Sequence, residues 1–374
     1  MKKTLALILA VVLSLACFCG AAIAEEEMPR YKIGVIYYSL VDTLGTETVK
    51  MCEQFGEMFN CEMQFIQASS SDENLTAFEN LCAADCQAVV SCFVDAALPS
   101  ILQIADNYGV YYGAISREIP SEEIRKTVEA MPQYKWWIGG CRENEYEAGY
   151  SVIDTLAKQY GCTKFALVGN TVGGSSAHDD RFKGFYDALE DNGLTAVTEG
   201  RGTSAEQTEY VNNMLTMDID AFAVSGGGMD KCIQPVAAAG KTGQIKIGTI
   251  DIGEGALEAL SENSVHVLLG GHAIDAVYSL VNAYNHLSCG DQPYTDLAEG
   301  EKCNLLLKYI VVDSAEVYAD YLKYVDGEVA PYTVDELKSV MPYYNPDATY
   351  ADLQAMVDAW SIEDVATRHA EFFN

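Results

Sequence analysis

The sequence predicts an α/β protein of two doubly wound parallel-sheet lobes joined by a hinge, with a C-terminal helical extension. Three observations point there. Short apolar runs alternate with helical stripes from Lys32 to Ala114, the alternation lapses over 118–135, and it then starts again. After Val312 the pattern changes to closely spaced helix-start signals. A chain of 374 residues is also long enough for two lobes. The expected boundaries are 31–117 with 272–303 for lobe one, 136–271 with 304–312 for lobe two, and 313–374 for the extension.

In lobe one, Ile33 to Tyr37 reads as a strand, and Met51, Phe55, Met58 and Phe59 mark the apolar face of a helix. Met63 to Ile66 is the second strand, Leu75, Phe78, Leu81 and Cys82 the second helical stripe, and Ala88 to Phe93 the third strand. A helix through Ile101, Leu102 and Ala105 leads to a fourth strand, Val110 to Ala114. The polar segment Glu118 to Lys135, with Pro120 and Pro132, reads as the crossing between lobes, and the adjacent Trp136 and Trp137 as hinge packing.

The second series runs through a helix near Glu147 to Tyr160, a strand at Lys164 and a helix carrying Arg181. Next come a strand near Leu194 to Thr198, a helix near Glu206 to Met217 and a strand at Ala221 to Val224. A helix from Met229 and a strand at Ile245 to Ile250 follow. Val265 to Leu269 and a helix over Ala273 to Leu287 read as a return across the hinge, and Asn304 to Val312 gives one more strand. In the tail, Thr333 with Glu336, Thr349 with Asp352 and Ser361 with Asp364 have capping-box spacing, which predicts three short helices. The tail tyrosines are expected to pack those helices against the body.

Residues 1–24 read as a secretory signal peptide: Lys2 and Lys3, an apolar run from Leu5 to Phe18, and Ala22-Ile23-Ala24 before three glutamates. The expected location is the periplasm or cell envelope, with lipid attachment at Cys17 as the alternative. The formal net charge is -32, and removing Lys2 and Lys3 makes it more negative. Such a balance argues against nucleic acid as a partner, because phosphate binding rests on clustered Lys and Arg. Cys82 and Cys86 have helical spacing but no histidine beside them, so no metal or other cofactor is expected. The cysteines read as small buried apolar residues, with Cys289 and Cys303, flanking a polar loop, the pair to test for a bridge.

None of the five histidines lies in an HExxH or GxSxG setting. The stretch Gly169 to Ser176 lacks the GK[ST] ending of a phosphate loop. Binding without reaction fits better than catalysis. Arg181 stands near the carboxyl end of the strand Phe165 to Val168, where open α/β sheets take their ligands.

With YKIGVIYYSLVDT at the start, Ser116-Arg117 after the fourth strand, AGYSVIDTL, RFKGFYDAL, and IGTIDIGEGALEAL carrying Asp251, the chain from Lys32 to Val312 resembles type I periplasmic solute-binding proteins of the ribose and galactose-binding kind. The resemblance implies two lobes with three crossings that close on a small polar solute, a sugar or sugar derivative, and hand it to an ABC permease at the membrane as a monomer. A sensory protein that presents its ligand to a membrane receptor or kinase is the alternative. By position it implies Asp42, Leu44, Ser116, Arg117, Arg181, Gly226, Asp251 and His272 as ligand-binding residues.

The chain departs from that family at several places. Ser116 stands where Asp is common before the first pocket arginine, Gly226 and Gly227 where Asn-Asp is common, and Leu44 and Gly45 where an aromatic platform is. Each candidate also has a structural reading: ion pairs for the arginines, helix caps for Asp42 and Asp251, a permissive turn for Gly226. If both arginines reach the ligand, they favour one with a carboxylate or phosphate, such as a sugar acid.

Overall fold

The computed structural model describes residues 28–372; the leader, Ala24 and Cys17 lie outside them. Lobe one is a six-stranded sheet in the order β11-β5-β4-β3-β1-β2, all parallel. Its strands are β1 (Tyr31–Tyr37), β2 (Cys61–Gln67), β3 (Ala88–Ser91), β4 (Tyr111–Ile115), β5 (Trp137–Glu143) and β11 (Cys303–Leu307). Lobe two has the order β12-β10-β9-β8-β6-β7. It contains β6 (Phe165–Gly169), β7 (Thr198–Arg201), β8 (Ala221–Val224), β9 (Lys246–Ile250), β10 (Val267–Gly270) and β12 (Ile310–Val312), of which only β12 is antiparallel to its neighbour. β3, β6 and β8 are buried along their whole length, because helices cover both faces of each sheet.

Numbered in chain order, the helices are α1 (Thr43–Met58), α2 (Ser71–Ala83), α3 (Leu98–Tyr108), α4 (Glu122–Glu129), α5 (Glu145–Tyr160), α6 (Ser176–Asp191) and α7 (Ser204–Met214). They continue as α8 (Gly228–Ala238), α9 (Ala256–Ser261), α10 (Asp275–Cys289), α11 (Ala315–Tyr324), α12 (Val334–Ser339), α13 (Tyr350–Ala359) and α14 (Ile362–Arg368).

The lobe boundary differs from the one expected. Trp137–Glu143 pairs with β4 and so belongs to lobe one, and 304–307 lies in the lobe-one strand β11. The polar stretch 118–135 is not a crossing. It folds as α4, capped by the Ser121 side chain, and a 3-10 turn over Pro132–Trp136, both packed within lobe one. Trp137 is buried in that lobe, while Trp136 donates to Asp106 at 2.7 Å. The chain crosses at Asn144, at Gly271 and between Leu307 and Ile310, and the Asn144 amide donates to the Leu307 carbonyl, tying two crossings together. The strand placed near 194–198 runs Thr198–Arg201 instead, and the third strand ends at Ser91.

Helices α5 and α6 pack backbone to backbone at Gly149 and Gly184. A Cβ at Gly149 would overlap the Arg181 carbonyl, and one at Gly184 the Tyr146 carbonyl. These glycines explain the AGYSVIDTL and RFKGFYDAL stretches physically: the close approach sets Arg181 against Glu145. Gly149→Ala should therefore cost about 1 to 3 kcal/mol in urea unfolding, through overpacking. An unchanged midpoint would mean the helices part freely.

The tail holds four helices, one more than expected, because Ser314 also caps α11. Complete capping boxes form at Thr333 with Glu336 and Thr349 with Asp352, and Ser361 caps α14. Its tyrosines pack as expected: Tyr332 meets Tyr278, Tyr344 meets Tyr284, and Tyr350 donates to the Asn304 carbonyl. The tail also holds the middle crossing. Gly271, with φ +77°, a conformation few residues other than glycine adopt, donates its N–H to the Tyr321 hydroxyl at 3.0 Å. Its carbonyl accepts the Trp360 indole N–H at 2.9 Å. Since α11 also packs on α9 of lobe two, and Tyr321 reaches Glu47 on α1 of lobe one, the tail joins both lobes to the crossing. All ten cysteines among the described residues are free thiols. Cys289 and Cys303 are not bridged: Cys303 is built into buried β11, and Cys289 is exposed at the end of α10.

Candidate functional site

The carboxyl ends of both sheets face one cavity of about 290 Å³. Lobe one supplies Tyr37 and Tyr38 after β1, Leu44 on α1, Cys92 after β3, Ser116 and Arg117 after β4, and Glu143 at the end of β5. Lobe two supplies Glu145, Asn170, Ser175, Ala177, His178, Arg181 and Asp251, and His272 comes from the middle crossing. This is the placement that doubly wound sheets give their ligands. A second cavity of about 290 Å³ shares Ser116, Arg117, Glu143, Glu145 and Ala177, and so carries the cleft past Arg117 towards the Glu118–Arg142 ion pair.

Of the eight residues singled out from the sequence, Leu44, Ser116, Arg117, Arg181, Asp251 and His272 line the cavity. Gly226 stands just behind it, since a Cβ there would lie 2.9 Å from His178 and 3.3 Å from the Asp251 carboxylate. Asp42 is not in the lining. It caps α1, accepting the Gly45 N–H at 2.7 Å, which is the structural role open to it.

The two arginines are not equivalent. Arg181 is 6 % exposed and spends its guanidinium on the protein: Nε donates to Glu145 at 2.6 Å, Nη1 to the Ser225 carbonyl at 2.6 Å, and Nη2 to the Tyr309 hydroxyl at 2.8 Å. Tyr309 in turn donates to Glu145 at 3.1 Å, so Arg181, Glu145 and Tyr309 form a closed triad at the third crossing. Arg117 spends only Nη1, on the Ser116 carbonyl at 2.7 Å. Burial works against its charge, and the acidic groups around it restore it. The expectation of two free forks is thus corrected: one guanidinium is left for a ligand.

Asp251 and Ser116 both sit at positive φ, +73° and +59°, where the backbone of such residues is strained and the surrounding structure must hold it. Strained loop residues at the end of a sheet mark functional positions more often than structural ones. Asp251 keeps a half-exposed carboxylate, with the His272 ring 3.6 Å away. His272 and His178 are held neutral, each with its pKa lowered to about 3 by burial and then by Arg181. His178 binds Ser225 Oγ through Nδ1 at 2.7 Å, which turns its other ring nitrogen free for a ligand. The His272 ring packs at a tilt against Tyr309, ring centres 4.7 Å apart.

Sequence reasoning missed Tyr38, Asn170, His178, Glu143 and Glu145. Tyr38, packed on Tyr37 at 4.8 Å, places an aromatic ring in the cleft where the first-loop platform had seemed lost. Burial, then Asp42 and Asp251, raise its hydroxyl pKa, so it remains a donor. The second tyrosine of IYYS was the available signal. Glu143 and Glu145 were hidden because the crossing between them, at Asn144, was placed earlier in the chain.

The site therefore offers one free guanidinium, the Asp251 carboxylate beside Glu143 and Glu145, neutral imidazoles, a phenol and an amide around an aromatic face. Comparison with known proteins bears on what such a cleft serves. A model of the periplasmic binding protein domain matches residues 33–292. The chain belongs to the periplasmic binding protein family. Curated proteins give no match. Among solved structures, a galactofuranose binding protein superposes with a TM-score of 0.64 at 15% identity, covering 79% of this chain and 98% of its own. The solute-binding protein of an ABC transporter from Actinobacillus succinogenes 130z, with bound D-allose, superposes with a TM-score of 0.65 at 15% identity, covering 78% and 100%. The arabinose-binding component from Shewanella sp. ANA-3, bound to L-arabinofuranose, gives 0.63 at 17% identity, covering 78% and 95%. At these identities the likeness is one of fold. The family model ends before the tail, at 292.

Proposed function

We propose that this periplasmic binding protein captures a small neutral polyhydroxy solute, a sugar or sugar derivative, between its lobes and delivers it to an ABC importer. The observation that carries this reading is the balance of the cleft. With Arg181 neutralised by Glu145, what faces the cavity is Arg117 and Asp251, each able to hold two neighbouring hydroxyls. The Tyr38 ring covers an apolar sugar face. The sugar ligands of the structural neighbours support the class of solute. The earlier expectation of a sugar acid loses its ground, since it needed both arginines free.

A thermal-shift screen across pentoses, hexoses, sugar acids, nucleosides and amino acids tests it. A ligand at about 100 times its Kd adds roughly 2.7 kcal/mol to native stability. Neutral sugars should give the largest shifts, and mass spectrometry should recover the bound sugar unchanged. Hits confined to amino acids would reject the reading, and turnover of the sugar would make the protein an enzyme.

A further inference from the structure

Beneath Arg117 two acids are buried together. Glu143 ends β5 and is 3 % exposed; Asp275 opens α10 and is fully buried. Ser116 Oγ donates to Asp275 Oδ2 at 2.6 Å. The remaining Glu143 Oε2 and Asp275 Oδ1 are both buried and accept no N–H or O–H from elsewhere in the protein. Each carboxyl group acts on the proton of the other. Two carboxylates cannot both stay ionised in that position, since each lacks water and repels the other. One proton between them turns the two orphan acceptors into a donor and an acceptor, which removes the unsatisfied pair. A third polar atom, His272 Nδ1, is also buried without a protein partner in the lining of the same cavity.

The surroundings decide the charge. Tyr37 faces the pair from β1, Cys52 from α1, Cys92 from the loop after β3 and Cys141 from β5. Burial holds all four neutral, by raising the thiol and phenol pKa values. Tyr309 at the third crossing is neutral for the same reason. That leaves Arg117 as the nearby cation and Glu145 as the nearby anion. Burial raises both acids of the pair, Asp275 to about 7 and Glu143 well above the usual carboxylate range.

We propose that Glu143 and Asp275 share a proton at the floor of the cleft, and that Glu143, which lines both cavities, meets the bound solute as a neutral carboxyl. This rests on the reading of the cleft as a sugar site and names a contact in it. Binding then weakens as the pair ionises, because a second negative charge lands beside Glu145 and takes away a donor.

The sign for stability follows. Carboxyls in the unfolded chain titrate near 4, so a pair raised in the folded state stabilises most below that pH and loses its contribution as pH rises through about 7 and above. Glu143→Gln keeps a neutral hydrogen-bonding side chain and leaves Asp275 alone. Melting temperatures of the sugar-free wild type and of Glu143→Gln, taken from pH 5.5 to 9, are expected to diverge as pH rises, with the wild type falling further. Calorimetry with the best neutral sugar should show wild-type affinity falling by about tenfold over the same range, and the Glu143→Gln variant holding level. Parallel melting curves would overturn the shared proton, and a wild-type affinity independent of pH would overturn the contact. Diverging melting curves with no sugar bound at any pH would uphold the shared proton and reject the sugar reading. Asp275→Asn, which removes the other acid of the pair, provides a second variant should Glu143→Gln fold poorly, and its melting curve should likewise diverge from that of the wild type as pH rises.

Discussion

Arg181→Ala is expected to lower the unfolding free energy by about 3 to 5 kcal/mol in the absence of any ligand, because it strands a buried carboxylate. Glu145 would keep only the Tyr309 hydroxyl, and the Ser225 carbonyl would lose its donor. The loss should appear as a lower midpoint in urea with an unchanged slope. Replacing the pair together, as Arg181→Met with Glu145→Leu, should recover much of it, since a buried ion pair contributes little net stability over apolar residues of similar size. A loss under about 1 kcal/mol for Arg181→Ala would mean that the triad is screened as surface pairs are. Sugar affinity should also fall, yet through the displaced third crossing rather than through a missing ligand contact.

Trp360→Ala is expected to be the other severe change, at about 3 to 5 kcal/mol, the usual cost of emptying a buried tryptophan site. The side chain is 4 % exposed and packs beside Tyr332. Trp360→Phe separates its two jobs. It keeps a ring but leaves the Gly271 carbonyl unpaired, which should cost about 1 to 3 kcal/mol. Because Gly271 is a lobe crossing, the phenylalanine variant should also broaden the distribution of lobe separations in double electron-electron resonance with one spin label per lobe. An unchanged distribution would mean that the tail packs against the crossing without restraining it.

The layers of the fold were legible because they rest on periodicity. The continuous apolar runs of Ile33 to Tyr37 and of Ala221 to Val224 are what parallel sheets covered on both faces require. The lobe boundary was not, for a crossing of one residue leaves no composition signal. Asn144 carries the chain between lobes with no proline or glycine beside it, whereas the proline-marked segment 118–135 is a local excursion. The tail was legible through its caps, since Thr333 and Thr349 need only a partner three residues on.

For the site, strand ends were enough to find Arg117 and Asp251, but not to tell which polar residue serves the ligand. Arg181 looked like a fork into the cleft because its position was visible and its partners were not. Glu145 lies 36 positions earlier and Tyr309 128 later, and nothing local in the sequence joins them. Asp42 shows the reverse: its cap on α1 is a local bond and could be read in advance. The Glu143 and Asp275 pair, brought together from a strand and a distant helix, has no linear signature at all.

The clasp on Gly271 also sets an order of events during folding. A chain made from its N-terminus first completes both sheets with β12 at Val312, while Tyr321 and Trp360 are still to come. In a chain made in that direction the domains fold as units as they emerge, so the tail contacts on Gly271 come after them. The lobes can therefore be built and covered before the joint between them is fixed. In nascent chains of increasing length, the amides of β6 and β8 should be protected from hydrogen exchange before Trp360 has emerged and the Gly271 amide only afterwards, so that the articulation takes its shape after the lobes it joins.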